Sequence, residues 1–157
     1  MVCASQYHTV LLRSDGQAVA CGSKHDGKCD IPRLNHGESY LQVSVGAGHT
    51  VLLRNDGWVV ACGKSDDGQC SIPPLAEGMT YTQVSANLYQ TVLLRSDGCA
   101  VACGQNESGQ CNFPPLDEAK SYTQASAGGF HTVLLLQDGN VVACGDNVFG
   151  QCSIPLL

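Results

Sequence analysis

The chain has 157 residues, a formal net charge of −6 and only 14% charged residues. That is the length of one ordinary domain, and with no basic cluster nucleic-acid or anionic-membrane binding has no electrostatic basis. No apolar run approaches transmembrane length. Met1-Val2-Cys3-Ala4-Ser5-Gln6 has neither the basic start nor the long apolar core of a signal peptide, so the expected compartment is the cytoplasm or nucleus.

The elements repeat. Cys21, Cys62, Cys103 and Cys144 are spaced by 41 residues without insertion or deletion, and a fixed period in this range means a propeller, solenoid or array. The units are 2–42, 43–83, 84–124 and 125–157, all within one repeat domain, 1–157. Each unit opens with a short strand, as in Val43-Ser44-Val45. A hairpin follows: His8-Thr9-Val10-Leu11-Leu12 returns through Asp15-Gly16 to Val19-Ala20-Cys21-Gly22. His49 to Gly63, Gln90 to Gly104 and His131 to Gly145 repeat it around Asp56-Gly57, Asp97-Gly98 and Asp138-Gly139. An Asp-Gly pair between β-branched apolar runs is a hairpin signal and argues against helix. Consecutive Val and Leu make these strands apolar on both faces, which suits a sheet packed on both sides.

Next comes a variable loop closed by Gly27, Gly68, Gly109 or Gly150, a position whose backbone conformation a side chain would resist. A fourth short strand is expected to carry the second cysteine of each unit, as in Gln69-Cys70-Ser71-Ile72. Pro32, Pro73, Pro114 or Pro155 ends the pairing. Leu34, Leu75, Leu116 and Leu157 are expected to anchor the polar connector on the core.

The expected fold is therefore all-β, with four propeller-type blades of up to four short antiparallel strands and almost no helix. Four blades are few for a closed ring. The chain is expected to form an open arc, or part of a larger ring, whose outer blades each leave an apolar face uncovered. Self-association through those faces, or a longer chain, would cover them.

Ser126 to Gln151 reads Ser-Ala-Gly-Gly-Phe-His-Thr-Val-Leu-Leu-Leu-Gln-Asp-Gly-Asn-Val-Val-Ala-Cys-Gly-Asp-Asn-Val-Phe-Gly-Gln. It resembles the repeat of the regulator of chromosome condensation superfamily: His-Thr before the second strand, a Gly turn, then Asn and Gly-Gln. The resemblance covers all four units and implies a β-propeller, usually seven-bladed. The short repeat with Gly-Gln-x-x-Ile-Pro is similar in style to the propeller-type β-lactamase inhibitors of that superfamily. Cysteine stands where those repeats usually have Trp (Cys21, Cys62, Cys103, Cys144) and Leu (Cys29, Cys70, Cys111, Cys152). The superfamily's photoreceptors rely on a tryptophan cluster, whereas this chain has Trp58 alone. Its nucleotide-exchange members use an inserted wedge, and the constant spacing leaves no insertion for one.

The paired cysteines read as small buried core filler in preference to disulfides or a zinc site, whose ligands stand at tighter spacing. His8, His49 and His131 share a position with Gln90. A carboxamide keeps hydrogen bonding but not basicity, so that position reads as a structural contact between blades, not a catalytic one. Asp66-Asp67-Gly68 lacks the alternation of a calcium loop and reads as a solvated loop. No catalytic residue, metal or cofactor is expected.

The scaffold repeats while one stretch varies: Gln6-Tyr7, Ala47-Gly48, Leu88-Tyr89 and Gly129-Phe130. Aromatic side chains on rigid loops are typical anchors for a protein partner. The candidate protein-binding residues are Tyr7, Tyr89, Phe130, Gln6 and Leu88, with Phe149 if its loop reaches the same rim. The expected function is a non-catalytic protein-interaction scaffold. The alternatives are a secreted enzyme inhibitor with disulfide-stapled blades, or an exchange factor for a small GTPase.

Overall fold

A computed structural model describes residues 1–117 and 119–155; Leu157, the expected fourth anchor, lies outside them. Four antiparallel sheets of three strands follow one another: β1 (Val2–Ala4), β2 (His8–Leu12) and β3 (Ala18–Gly22); β4 (Tyr40–Val45), β5 (His49–Arg54) and β6 (Val59–Gly63); β7 (Tyr81–Asn87), β8 (Gln90–Arg95) and β9 (Ala100–Gly104); β10 (Tyr122–Ala127), β11 (His131–Leu136) and β12 (Val141–Gly145). The only helical turn among the described residues is the 3-10 turn His25–Gly27. The chain is an open arc of four blades. Among the described residues three apolar clusters fill the three junctions between successive blades, and none joins the fourth blade to the first.

The hairpins form around the Asp-Gly pairs by a division of labour. Arg54 N–H bonds Trp58 O at 2.8 Å, closing a three-residue loop, and Asp56 Oδ1 accepts Trp58 N–H at 3.0 Å. Gly57 supplies the positive φ, +80°, and a Cβ there would collide with Thr80. The first strand of units two to four is longer than expected. It begins at Tyr40, Tyr81 or Tyr122 and shifts register by a bulge before Gln42, Gln83 or Gln124. Each Tyr hydroxyl donates back to the Pro carbonyl that follows the preceding blade, as from Tyr40 to Pro32 O at 2.8 Å.

The fourth segment, Gln69–Ile72 in unit two, does not join the sheet. Its donors are used locally: Cys70 N–H on Ser65 Oγ at 3.1 Å, Ser71 N–H on Gly68 O at 2.9 Å, Ile72 N–H on Cys70 O at 2.9 Å. A ladder needs those donors free, and Pro73 has none. The segment instead packs Ile72 and Leu75 on the junction cluster; Leu34 and Leu116 do the same in their units.

Polar groups cross each junction in register. Thr50, Thr91 and Thr132 are fully buried. Each hydroxyl donates to a carbonyl of the preceding blade, on Lys28, Gln69 and Gln110, at 2.8 Å. With its proton committed, the hydroxyl must accept from the partner on its other side. That partner is His8 Nε2 at 2.8 Å, His49 Nε2 at 2.9 Å or Gln90 Nε2 at 3.0 Å. Only an N–H donor is needed, so Gln90 substitutes for histidine. Along the first strands, Gln42 Oε1 and Gln83 Oε1 accept the N–H of Val84 and Ala125 at 3.0 and 2.8 Å. Ser44 and Ser85 accept that of Ala86 and Ala127 at 2.8 and 2.9 Å.

All ten cysteines are free thiols. The first of each later unit donates across the junction to the same carbonyl as the threonine: Cys62 to Lys28 O at 3.8 Å, Cys103 to Gln69 O and Cys144 to Gln110 O at 3.5 Å. The second bonds within its own blade, as Cys70 does to Lys64 O at 3.3 Å. Burial, with neighbouring thiols adding to it, pushes Cys103 up to about 12 and Cys62 and Cys111 up to about 11. Such thiols are poor nucleophiles.

Burial, reinforced by nearby His8, pushes His49 down to about 4. Its Nδ1 has no partner and faces Gly46. An unfolded imidazole binds a proton below about 6.5. The unfolded state therefore takes up the proton first as pH falls. Stability should be unaffected above pH 6.5 and should fall between 6.5 and 4, by on the order of 2–3 kcal/mol from this group. Urea melts at neutral and acid pH should show this loss in the parent and a smaller one in His49→Gln; equal losses would contradict it. In thiol titration at pH 8, the exposed Cys21 should react first. Cys62, Cys103 and Cys111 should wait for denaturant, and reductant should leave the melting temperature unchanged.

Candidate functional site

Antiparallel pairing puts the turn between first and second strands on the same rim as the exit of the third. Backbone bonds tie the two in every blade: Ser23 N–H to Tyr7 O at 2.9 Å, Lys64 to Gly48 O at 2.8 Å, Gln105 to Tyr89 O at 3.0 Å, Asp146 to Phe130 O at 2.8 Å. Tyr7, Gly48, Tyr89 and Phe130 thus occupy one rim, one per blade. The loop carrying Phe149 leaves from the same rim. Tyr7 is 52% exposed and Phe149 91%; Tyr89 and Phe130 are exposed as well. Gln6 is exposed beside Tyr7.

Leu88 is only half-exposed. It sits at φ +20°, its side chain leans on Gly129 and its carbonyl accepts Ala47 N–H at 3.3 Å. Part of its surface is therefore committed to holding neighbouring turns together. Blade two has no aromatic in the series. Gly48 lies against the stem of Lys64, whose ammonium pairs with Asp66 at 3.2 Å.

The loops are shaped by the residue before the second cysteine. Gln69, Gln110 and Gln151 use Oε1 to accept a loop N–H, from Asp67 at 3.1 Å, Ser108 at 3.0 Å and Phe149 at 2.8 Å. Lys28 occupies this position in unit one and cannot accept. There the loop takes the 3-10 turn instead, with Asp26 at φ +61°. Lys28 Nζ lies 5.9 Å from the centroid of the Tyr7 ring, a cation–π contact that ties this anchor to its blade.

Three further features accompany the candidate residues. Val148 is 80% exposed beside Phe149, and an apolar pair in an otherwise polar loop is the signal for it. Towards the inner edge, Ser5, Gln6, Ala47, Asn87 and Leu88 border a depression of about 350 Å³ between the first strands. It exists because these turns are short and mostly small, but only assembly of three blades forms it. Trp58 is exposed on the opposite rim, beside the Asp-Gly turn. The rim offers apolar contact area and backbone polar groups. Among the described residues no group of three or more His, Cys, Asp or Glu gathers to hold a metal, and no helix is long and apolar enough to cross a membrane.

The family model for the regulator of chromosome condensation (RCC1) repeat matches residues 41–69 and 122–151. No curated protein matches the chain by sequence. Human WBSCR16 superposes with a TM-score of 0.79 at 20% identity, over 92% of this chain and 46% of that one. Prp20p from Saccharomyces cerevisiae superposes with 0.78 at 17% identity, over 97% and 45%. The ectodomain of the Physcomitrella patens receptor kinase CR4 does so with 0.72 at 19%, over 94% and 42%. The chain spans less than half the length of these proteins, and at such identities the likeness is one of fold. The second and fourth blades contain the segments similar to the regulator of chromosome condensation repeat, and the chain folds as four blades of a β-propeller.

Proposed function

We propose that the chain is a non-catalytic protein-interaction scaffold of the cytoplasm or nucleus, which docks a protein partner on the rim carrying Tyr7, Tyr89, Phe130 and Phe149. The observation that carries this reading is the exposure of four aromatic rings along one edge of a scaffold whose other positions repeat. Tyr and Phe bring large contact area with few torsions to freeze. The rigid blades beneath them hold the rings in place without a partner, which lowers the cost of binding. Gln6, and the part of Leu88 left free, extend the surface towards the inner depression. Protein binding is also what the name given to one yeast structure describes: Prp20p is named there with Gsp1p and histones.

A protein captured from lysate should lose affinity by about 1–2 kcal/mol for Tyr89→Ala and by more for the triple alanine variant at Tyr7, Tyr89 and Phe130. Both variants should melt like the parent. Trp58→Ala, on the opposite rim, serves as control and should bind normally. Unchanged affinity of the triple variant would place the interface elsewhere. Accelerated release of labelled nucleotide from a small GTPase would favour the exchange-factor reading instead.

A further inference from the structure

Each blade junction joins two unlike faces, and the arc ends in one of each. The face that the first blade turns outward is the one by which later blades dock on their predecessors. Leu52 and Leu93 are fully buried in that role, whereas the corresponding Leu11 is 39% exposed, alongside Val2 and Val19. Thr9 corresponds to Thr50, Thr91 and Thr132, and its hydroxyl has no partner among the described residues. Cys21 corresponds to Cys62, Cys103 and Cys144, and is exposed. Met1 and Leu12 exchange ladder bonds, so by antiparallel alternation Val2 and Ala4 point their N–H groups away from β2. These are the groups that Gln and Ser side chains capture at the second and third junctions.

The outward face of the fourth blade carries the other half. Gln124 and Ser126 correspond to Gln83 and Ser85 and are exposed. His131, in the place of His8 and His49, makes no side-chain hydrogen bond among the described residues, and the Gln151 carbonyl, in the place of Gln110 O, receives no donor there. Val133 and Leu135 are half-buried, whereas Val92 and Leu94 in the same places are buried.

We propose that these two faces dock on each other between two copies of the chain, head to tail, the first blade of each against the fourth of the other. Gln124 and Ser126 of one copy then accept from Val2 and Ala4 of the second. His131 donates to Thr9, and Thr9 and Cys21 donate to the Gln151 carbonyl. Every one of these bonds already exists at an inner junction, at 2.8–3.0 Å for its threonine, glutamine and serine members. The occupant is a second copy because the two faces complement each other and neither complements itself: the first offers backbone N–H groups, the last side-chain acceptors. A heterologous contact of this kind closes where its rotation allows. Two copies end to end bring together twice the four sheets of one chain, and closed propellers reach about eight blades. This contact uses the end faces and leaves the aromatic rim open.

Sedimentation of the whole chain should give about 33 kDa, twice its 16.5 kDa, with no further growth as concentration rises through the micromolar range. Leu11→Lys and Leu135→Lys each spoil one face, and each alone should sediment at 16.5 kDa. Mixed, they retain one good junction and should pair at about 33 kDa. Thr9→Val, a milder change at a half-exposed position, should raise the dissociation constant about tenfold or more. Melting curves confirm that each variant is folded. A 16.5 kDa particle at every concentration, or self-pairing of Leu135→Lys, overturns head-to-tail docking. Mass that keeps growing overturns closure.

Discussion

The interaction on which the rest depends is a hydroxyl proton. Each junction buries a threonine with no access to water, and a buried hydroxyl without partners is costly. Thr50, Thr91 and Thr132 meet that cost by donating to a carbonyl of the preceding blade and accepting from its histidine or glutamine. One atom thus fixes both the spacing and the register of two sheets. Serine would supply the hydroxyl without the β-branching that suits a strand; valine would supply the shape but orphan two partners. The histidine beside it is less constrained, because an N–H is all that is required of it.

This constraint explains the apolar pattern. A three-stranded sheet that meets a neighbour on each side has no wet face, so β5 and β8 are buried along almost their whole length. The end strands β2 and β11 are buried on alternate residues only. The cysteines belong to the same scheme. Those at Cys62, Cys103 and Cys144 are small enough to sit between sheets and polar enough to add a weak bond to the carbonyl the threonine already holds. Their raised pKa values follow from that burial.

A scaffold held from within its junctions leaves its rim free to vary. Gly48, Tyr89 and Phe130 follow one another at a single place without disturbing the backbone bonds behind them. The exception is Lys28. Putting a donor where the other units have an acceptor cost unit one its loop conformation and brought a cation over Tyr7. This change at a scaffold position therefore also alters the rim.

The sequence by itself determined the blades, their number and order, the hairpin turns, the closing glycines, the rim that varies and the structural nature of the histidine position. These are written in local terms: an Asp-Gly pair, a two-sided apolar run, a period of 41, a glutamine where a histidine would stand. Three things were decided only in three dimensions. The fourth segment reads as a strand, yet its N–H groups are spent on the Ser65 and Gly68 turn, and competition for a donor is invisible in a one-dimensional pattern. The destination of the threonine hydroxyl lies 22 residues back along the chain, where nothing in the sequence marks a carbonyl. The burial of Leu52 and the exposure of Leu11, identical residues in identical local sequence, depend on whether another blade stands in front of them. Position in the arc is a property of the assembled sheets and of no residue alone.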